Sequence, residues 1–189
     1  MDCDMSHGAA GGSPTNPPTR APSDYATFMM AASGWCFWQA LATVLGLVNP
    51  LRPDTALGVA QRVADWMIAN QHRTDLAYLG GVSFGNFHVG TVNALGGVCV
   101  QHQHADRSSM NDILIENLEQ LANMVRGVPH LEDFGPDFYV GGDADGVVHS
   151  AAELFNVKIA VCDTSGKVLL SYCASTNPNT WVYIITRPE

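Results

Sequence analysis

Behind a small-residue turn, Ala32-Ser33-Gly34, apolar side chains recur at helical spacing from Cys36 to Leu47, and a first helix is expected there. Pro53-Asp54-Thr55 is a helix start signal, and Ala60, Val63, Ala64, Met67 and Ile68 then repeat every three or four residues, the pattern of an amphipathic second helix. Leu79 to Val100 is rich in glycine among Val, Phe and Leu. Each glycine costs a helix about 1 kcal/mol, so this stretch reads as short strands and loops. Ser109 and Asp112 have the spacing of a capping box, with Leu114, Leu118, Leu121 and Val125 on one helical face until Gly127 and Pro129. Asp145 is a candidate N-cap for a short fourth helix carrying Val148, Ala151, Ala152 and Phe155.

The period then changes. Val157 to Cys162, Val168 to Tyr172 and Trp181 to Ile185 read as strands, the first two joined by a turn at Asp163-Thr164-Ser165-Gly166. Helices first and a strand cluster last, without internal repeats, predict an α+β architecture with a central sheet flanked by helices.

Composition sharpens this picture in a few places. The 189 residues suit one domain, and 47% hydrophobic against 14% charged residues supplies enough apolar surface for a core. Residues 1 to about 23 are dense in Gly, Pro, Ser and Thr without an apolar period and read as a disordered tail, leaving 24–189 as the domain. A net charge of −9 argues against nucleic acid or an anionic membrane as partner, since both require a basic surface. The most apolar stretch, Trp35 to Val48, is interrupted by Gln39 and Thr43 and falls short of the roughly 20 residues that cross a bilayer. The N-terminal residues lack the basic and apolar regions of a signal peptide, so a cytoplasmic location is expected. Five cysteines without a C-x-x-C pair argue against a disulfide framework or a four-thiolate zinc site, and most are expected to be reduced.

Cys36 is the residue with the clearest chemical context. It follows a glycine turn and opens an apolar helix, whose N-terminus carries about half a positive charge and unpaired N–H groups. Both favour a thiolate and can hold a developing oxyanion. The alternative reading of the same segment is a buried cysteine on an apolar helix face.

Three ordered blocks resemble the ovarian tumour (OTU) family of papain-like deubiquitinating cysteine proteases. Gly34, Cys36, Phe37, Trp38, Ala40, Leu41 and Ala42 match the family's nucleophile segment. Gly141-Gly142 followed by Val148 to Ile159 resembles its Gly-Gly loop, short helix and strand, with a loop about two residues longer. Asn179 to Ile184 resembles its last strand, where a catalytic histidine directly precedes an aromatic residue. The resemblance implies a papain-like OTU-type fold from about Tyr25 onwards. It further implies Cys36 as nucleophile, an oxyanion turn at Ser33, Gly34 and Trp35, Asn179 as an orienting group and Trp181 as the aromatic after the base. It requires no cofactor or metal, and its partner is ubiquitin or a ubiquitin-like modifier, met in a host's cytoplasm if the chain is a viral or bacterial factor.

Two positions depart from the family pattern. Ser33 replaces an aspartate in the turn, and Thr180 stands where the general-base histidine belongs. A hydroxyl of very high pKa cannot take the thiol proton and return one to the leaving amine. Three readings therefore follow: a modifier-binding domain with impaired catalysis, a non-catalytic interaction module on a papain-like fold, or an active papain-like protease, such as one processing a viral polyprotein, that uses another histidine. Neither His149, on the short helix, nor His88, in the Gly-rich stretch, is assigned that role. Cys99, His102 and His104 are metal-ligand types within six residues, but their spacing matches no standard finger and they read as a polar loop. Glu116, Glu119, Glu132, Asp133, Asp137, Asp143 and Asp145 read as an acidic face, available to a basic tail such as that of ubiquitin.

Overall fold

The computed structural model describes residues 18–21, 36–48, 55–76, 79–94, 98–101, 110–126 and 145–185. Thr55 caps the second helix as its hydroxyl accepts from the Gly58 N–H at 3.0 Å. That helix, α2 (Ala56–Ala69), buries Val59, Ala60, Val63, Ala64 and Met67 and lies at the centre of the helical layer. Against it pack α1 (Cys36–Val48), α4 (Leu118–Arg126) and α5 (Asp145–Phe155). Every one of its buried positions falls on the stripe read from the sequence or one residue beside it, because one continuous face meets three neighbours.

The Gly-rich stretch corrects its sequence reading. Phe84–Ala94 is a helix, α3, in spite of Gly85 and Gly90. Ser83 caps it, accepting from the Asn86 N–H at 3.4 Å, and the carbonyls of Arg73 and Gln71 take the N–H groups of Phe84 and Gly85 at 2.7 and 2.9 Å. A side chain at Gly85 would come within 3.2 Å of the Gln71 carbonyl. That glycine is the cost of docking α3 on the turn after α2, and burial of Phe84 offsets it.

A second correction concerns the start of the helix that follows. Met110–Ile113 is a strand, β2, paired antiparallel with β1 (Val98–Gln101), so the Ser109–Asp112 signal does not begin a helix. The cap lies further on. Asn117 Oδ1 accepts from the Gln120 N–H at 2.8 Å, while Gln120 Oε1 accepts from the Glu116 N–H at 2.9 Å, a reciprocal arrangement that opens α4. The Asn93 side-chain amide bonds both backbone groups of Ile115 at 2.6 and 2.8 Å and ties α3 to the lead-in of α4.

The chain closes on a three-stranded sheet in the order β4-β3-β5: β3 (Lys158–Cys162) runs antiparallel to β4 (Val168–Cys173) and parallel to β5 (Trp181–Ile185). Ile159, Tyr172 and Val182 stand in register on the face that joins the core, covered by α5, while α1 lies against β5. The fold is thus mixed α+β, with five helices among the described residues. Asp163 shapes the β3–β4 turn, its Oδ1 accepting from Ser165 N–H, Ser165 Oγ and Lys167 N–H. The Ser165 hydroxyl bond, first among the causes, holds the Asp163 carboxyl below its ordinary range.

Two further findings touch the reading of tail and cysteines. Thr19–Ala21, placed by composition in the tail, pairs with the β3–β4 turn: Val168 N–H donates to Thr19 O at 3.0 Å and Ala21 N–H to Gly166 O at 2.8 Å. Cys173 is disulfide-bonded, while Cys162 is a buried free thiol. Cysteine spacing detects frameworks and metal knuckles, and a bridge from Cys173 to a cysteine far away in the sequence leaves no such pattern. Among the described residues, no helix is long and apolar enough to cross a membrane.

Gly146, in the first turn of α5, is set by a close approach. A Cβ there would lie 2.3 Å from Nδ1 of His88. Gly146→Ala is therefore expected to cost about 2 kcal/mol or more in urea unfolding, although alanine is the better helix former. The loss should shrink in the His88→Ala background; an equal loss in both backgrounds would contradict the contact.

Candidate functional site

The nucleophile candidate is the first residue of α1. Behind Cys36, the side chains of Phe37, Trp38, Leu41 and Ala42 are buried, with the Phe37 and Trp38 rings edge to face at 4.9 Å. These contacts seat the start of the helix in the core, so the position of its N-terminus is fixed by packing. Ser33, Gly34 and Trp35, the oxyanion-turn candidates, lie outside the described residues.

Asn179 and Thr180 are exposed and immediately precede β5. The Thr180 carbonyl accepts from the Lys158 N–H at 2.8 Å, the first rung between the two parallel strands. Trp181 opens β5, lying in register with Lys158, whose Nζ stands 5.4 Å from the centre of its ring. Tyr183, two residues on and so on the same face of β5, stacks with Trp181, their ring centres 6.0 Å apart. Lys158 is 7% exposed, so its ammonium is held at the Trp181 face where a cation and an aromatic ring attract. Trp181 and Tyr183 thus belong to the strand against which α1 packs, and Thr180 directly precedes it.

Of the two internal histidines, His88 lies in the core and His149 is half-buried. His88 on α3 is 2% exposed, edge to face with Phe84 at 4.4 Å and Phe87 at 5.1 Å. Burial, then the charge of His149, pushes its pKa down to about 3. An imidazole that weakly basic is poorly matched to proton transfer near neutral pH. His149 on α5 faces the sheet, its ring edge to face with Tyr172 at 4.9 Å. Both therefore serve packing in this fold, His88 at the α3–α5 contact and His149 at the α5–β4 contact.

Of the remaining candidates, Cys99 lies on β1, while His102 and His104 lie outside the described residues. Among the described residues, no group of three His, Cys, Asp or Glu is placed to hold a metal ion. Glu116 and Glu119 are exposed at the start of α4 and Asp145 opens α5; Glu132, Asp133, Asp137 and Asp143 lie outside the described residues.

Sequence reading missed the residues that hold the segment before β5. The Glu153 carboxylate accepts from the Ser175 N–H at 2.8 Å and the Ser175 hydroxyl at 2.9 Å, and the Thr176 hydroxyl donates to Asn156 Oδ1. Glu153 and Asn156 belong to the end of α5 and its C-terminal turn, more than 20 residues from Asn179 and Thr180. A polar helix end followed by a polar loop was the only sequence signal. Compared with known proteins, the chain matches no family model, no curated protein and no solved structure.

Proposed function

We propose that the chain is an OTU-like papain-type domain that recognises ubiquitin or a ubiquitin-like modifier, keeps Cys36 as nucleophile, and has weak or absent peptidase activity because Thr180 occupies the base position. The observation that carries the reading is the way the three sequence blocks fall on the fold. Cys36 opens α1, the Val148 to Ile159 part of the second block lies on α5 and β3 while its Gly141-Gly142 lies outside the described residues, and the third block leads into β5, against which α1 lies. Thiol acyl transfer needs a cysteine at a helix start and a base on a neighbouring element, and α1 lies against β5, which begins directly after Thr180.

In the complete reaction, the Cys36 sulfur attacks the carbonyl carbon of the modifier's C-terminal glycine. The isopeptide C–N bond breaks, the lysine amine leaves with a proton, and water then releases the modifier from the thioester. The helix N-terminus favours the thiolate and the oxyanion without titrating. The proton for the amine must come from a group of pKa near neutrality, and Thr180 offers only a hydroxyl. In a comparable triad, loss of the base lowers turnover on the order of 10⁶-fold. The net charge of −9 favours a modifier whose C-terminal tail is basic.

Hydrolysis of a fluorogenic C-terminal ubiquitin amide tests this assignment. The native chain is expected to turn over near background, Thr180→His to gain at least about 100-fold, and Cys36→Ala to remove that gain. Turnover by the native chain that survives Thr180→Ala would show that another base serves Cys36. Binding of ubiquitin without turnover in any variant would favour the interaction-module reading.

A further inference from the structure

We infer that the end of α5 is a clamp that sets the position of Asn179 and Thr180, with Glu153 as its positioning residue. The inference rests on the reading of Thr180 as the base position, and its structural half is measurable apart from that reading. The segment from Ala174 to Thr180 is a seven-residue connection between strands that are not neighbours in the sheet. Such a loop is mobile unless its backbone is tied down.

Here its ties converge on one short stretch of chain. Ala174 N–H donates to Val157 O at 3.3 Å, the Glu153 carboxylate takes both polar groups of Ser175, Asn156 takes the Thr176 hydroxyl, and Lys158 N–H donates to Thr180 O. Residues 153, 156, 157 and 158 are the last turn of α5, the turn after it and the first position of β3. Asn156, at φ 54°, makes the reversal between helix and strand that lets these groups face one loop. Asn177, at φ 52°, turns the loop itself, its N–H donating to Ala174 O at 2.9 Å.

Glu153 is the charged member of the set. A carboxylate accepting two bonds from one residue makes a stronger tie than the neutral pairs beside it. Loss of that tie frees the start of the loop, and the displacement is passed to Thr180 through a segment held at its far end by one backbone bond. A group meant to exchange a proton with Cys36 must be placed to within a fraction of an ångström, and a 1 Å error can cost about 100-fold. The clamp also joins the second and third sequence blocks physically, since one holds the other.

Two readouts decide the matter, each on the full chain. The first is hydrogen exchange at the Lys158 amide, which donates to Thr180. Glu153→Ala is expected to raise it about tenfold, with amides in the middle of the β3–β4 ladder unchanged and with Glu153→Gln, which keeps acceptor oxygen for Ser175, restoring most of the protection. Unchanged exchange at Lys158 would overturn the clamp. The second is adduct formation with an electrophilic ubiquitin probe in the Thr180→His chain. Adding Glu153→Ala should lower the limiting rate about tenfold at an unchanged half-saturating probe concentration. Raised exchange with an unchanged limiting rate would overturn the positioning role. Raised exchange in a Thr180→His chain that forms no adduct would support the clamp and defeat the functional reading of Thr180.

Discussion

Phe84→Ala is expected to destabilise the protein by about 3–5 kcal/mol, since Phe84 is the bulkiest fully buried side chain among the described residues. Phe84 is fully buried and sits where three helices meet. Its ring is edge to face with Trp66 of α2 at 5.4 Å and with His88 of α3 at 4.4 Å, and His88 in turn packs on Gly146 of α5. Truncation removes the ring's buried area and leaves a cavity among neighbours that are themselves fixed by helix contacts, so little collapse can fill it. It also takes away the gain that offsets the glycines of α3, so this helix should be the first to lose protection. Urea unfolding followed by circular dichroism measures the effect. Leu57→Ala, at an exposed position of α2, should stay within about 0.5 kcal/mol and serves as the control. A loss below about 1 kcal/mol for Phe84→Ala would mean that α3 does not dock through this ring.

Acid should weaken the fold through His88. Its folded pKa is about 3, against an ordinary value of 6.5, because burial disfavours the charged imidazole and His149 adds to the effect. Between those two values the unfolded chain binds the proton and the folded chain does not. Stability is therefore complete above about pH 6.5 and falls as the pH is lowered, by up to about 1.4 kcal/mol per pH unit. The loss approaches roughly 5 kcal/mol near pH 3. Protonation of Asp and Glu adds its own dependence below about pH 5. The informative quantity is thus the difference between native and His88→Gln chains, which share those carboxylates. The native chain should lose stability faster than the variant from pH 6.5 downwards. Parallel stability curves between pH 7 and pH 4 would show that His88 titrates alike in both states.

Much of this fold was legible where one period governed a whole element. Cys36–Val48 and Ala56–Ala69 each carry an apolar stripe at helical spacing, and the three closing strands are short, apolar and separated by turn residues. The misreadings share a physical cause: tertiary contacts outweighed local preference. Phe84–Ala94 looks too rich in glycine for a helix until Gln71 and Arg73 are seen to cap it, and Ser109–Asp112 resembles a cap until residues 110–113 are seen paired with β1. At the candidate site, the positions of Cys36 at a helix start and of Thr180 just before a strand were legible, their roles being what the resemblance implies. The Glu153–Ser175 tie was not, because nothing in either segment announces the other. Gly146 is similar, its need for glycine arising entirely from His88.

The most direct test of the functional reading is intact mass after incubation, under reducing conditions, with a ubiquitin probe bearing a C-terminal electrophile. The native chain, Cys36→Ala, Thr180→His and the double variant would be compared. The account predicts one probe adduct on Thr180→His, formed faster than on the native chain, and none on either form that lacks Cys36. Absence of an adduct from all four forms would contradict it, and an adduct that persists in Cys36→Ala would place the reactive thiol elsewhere.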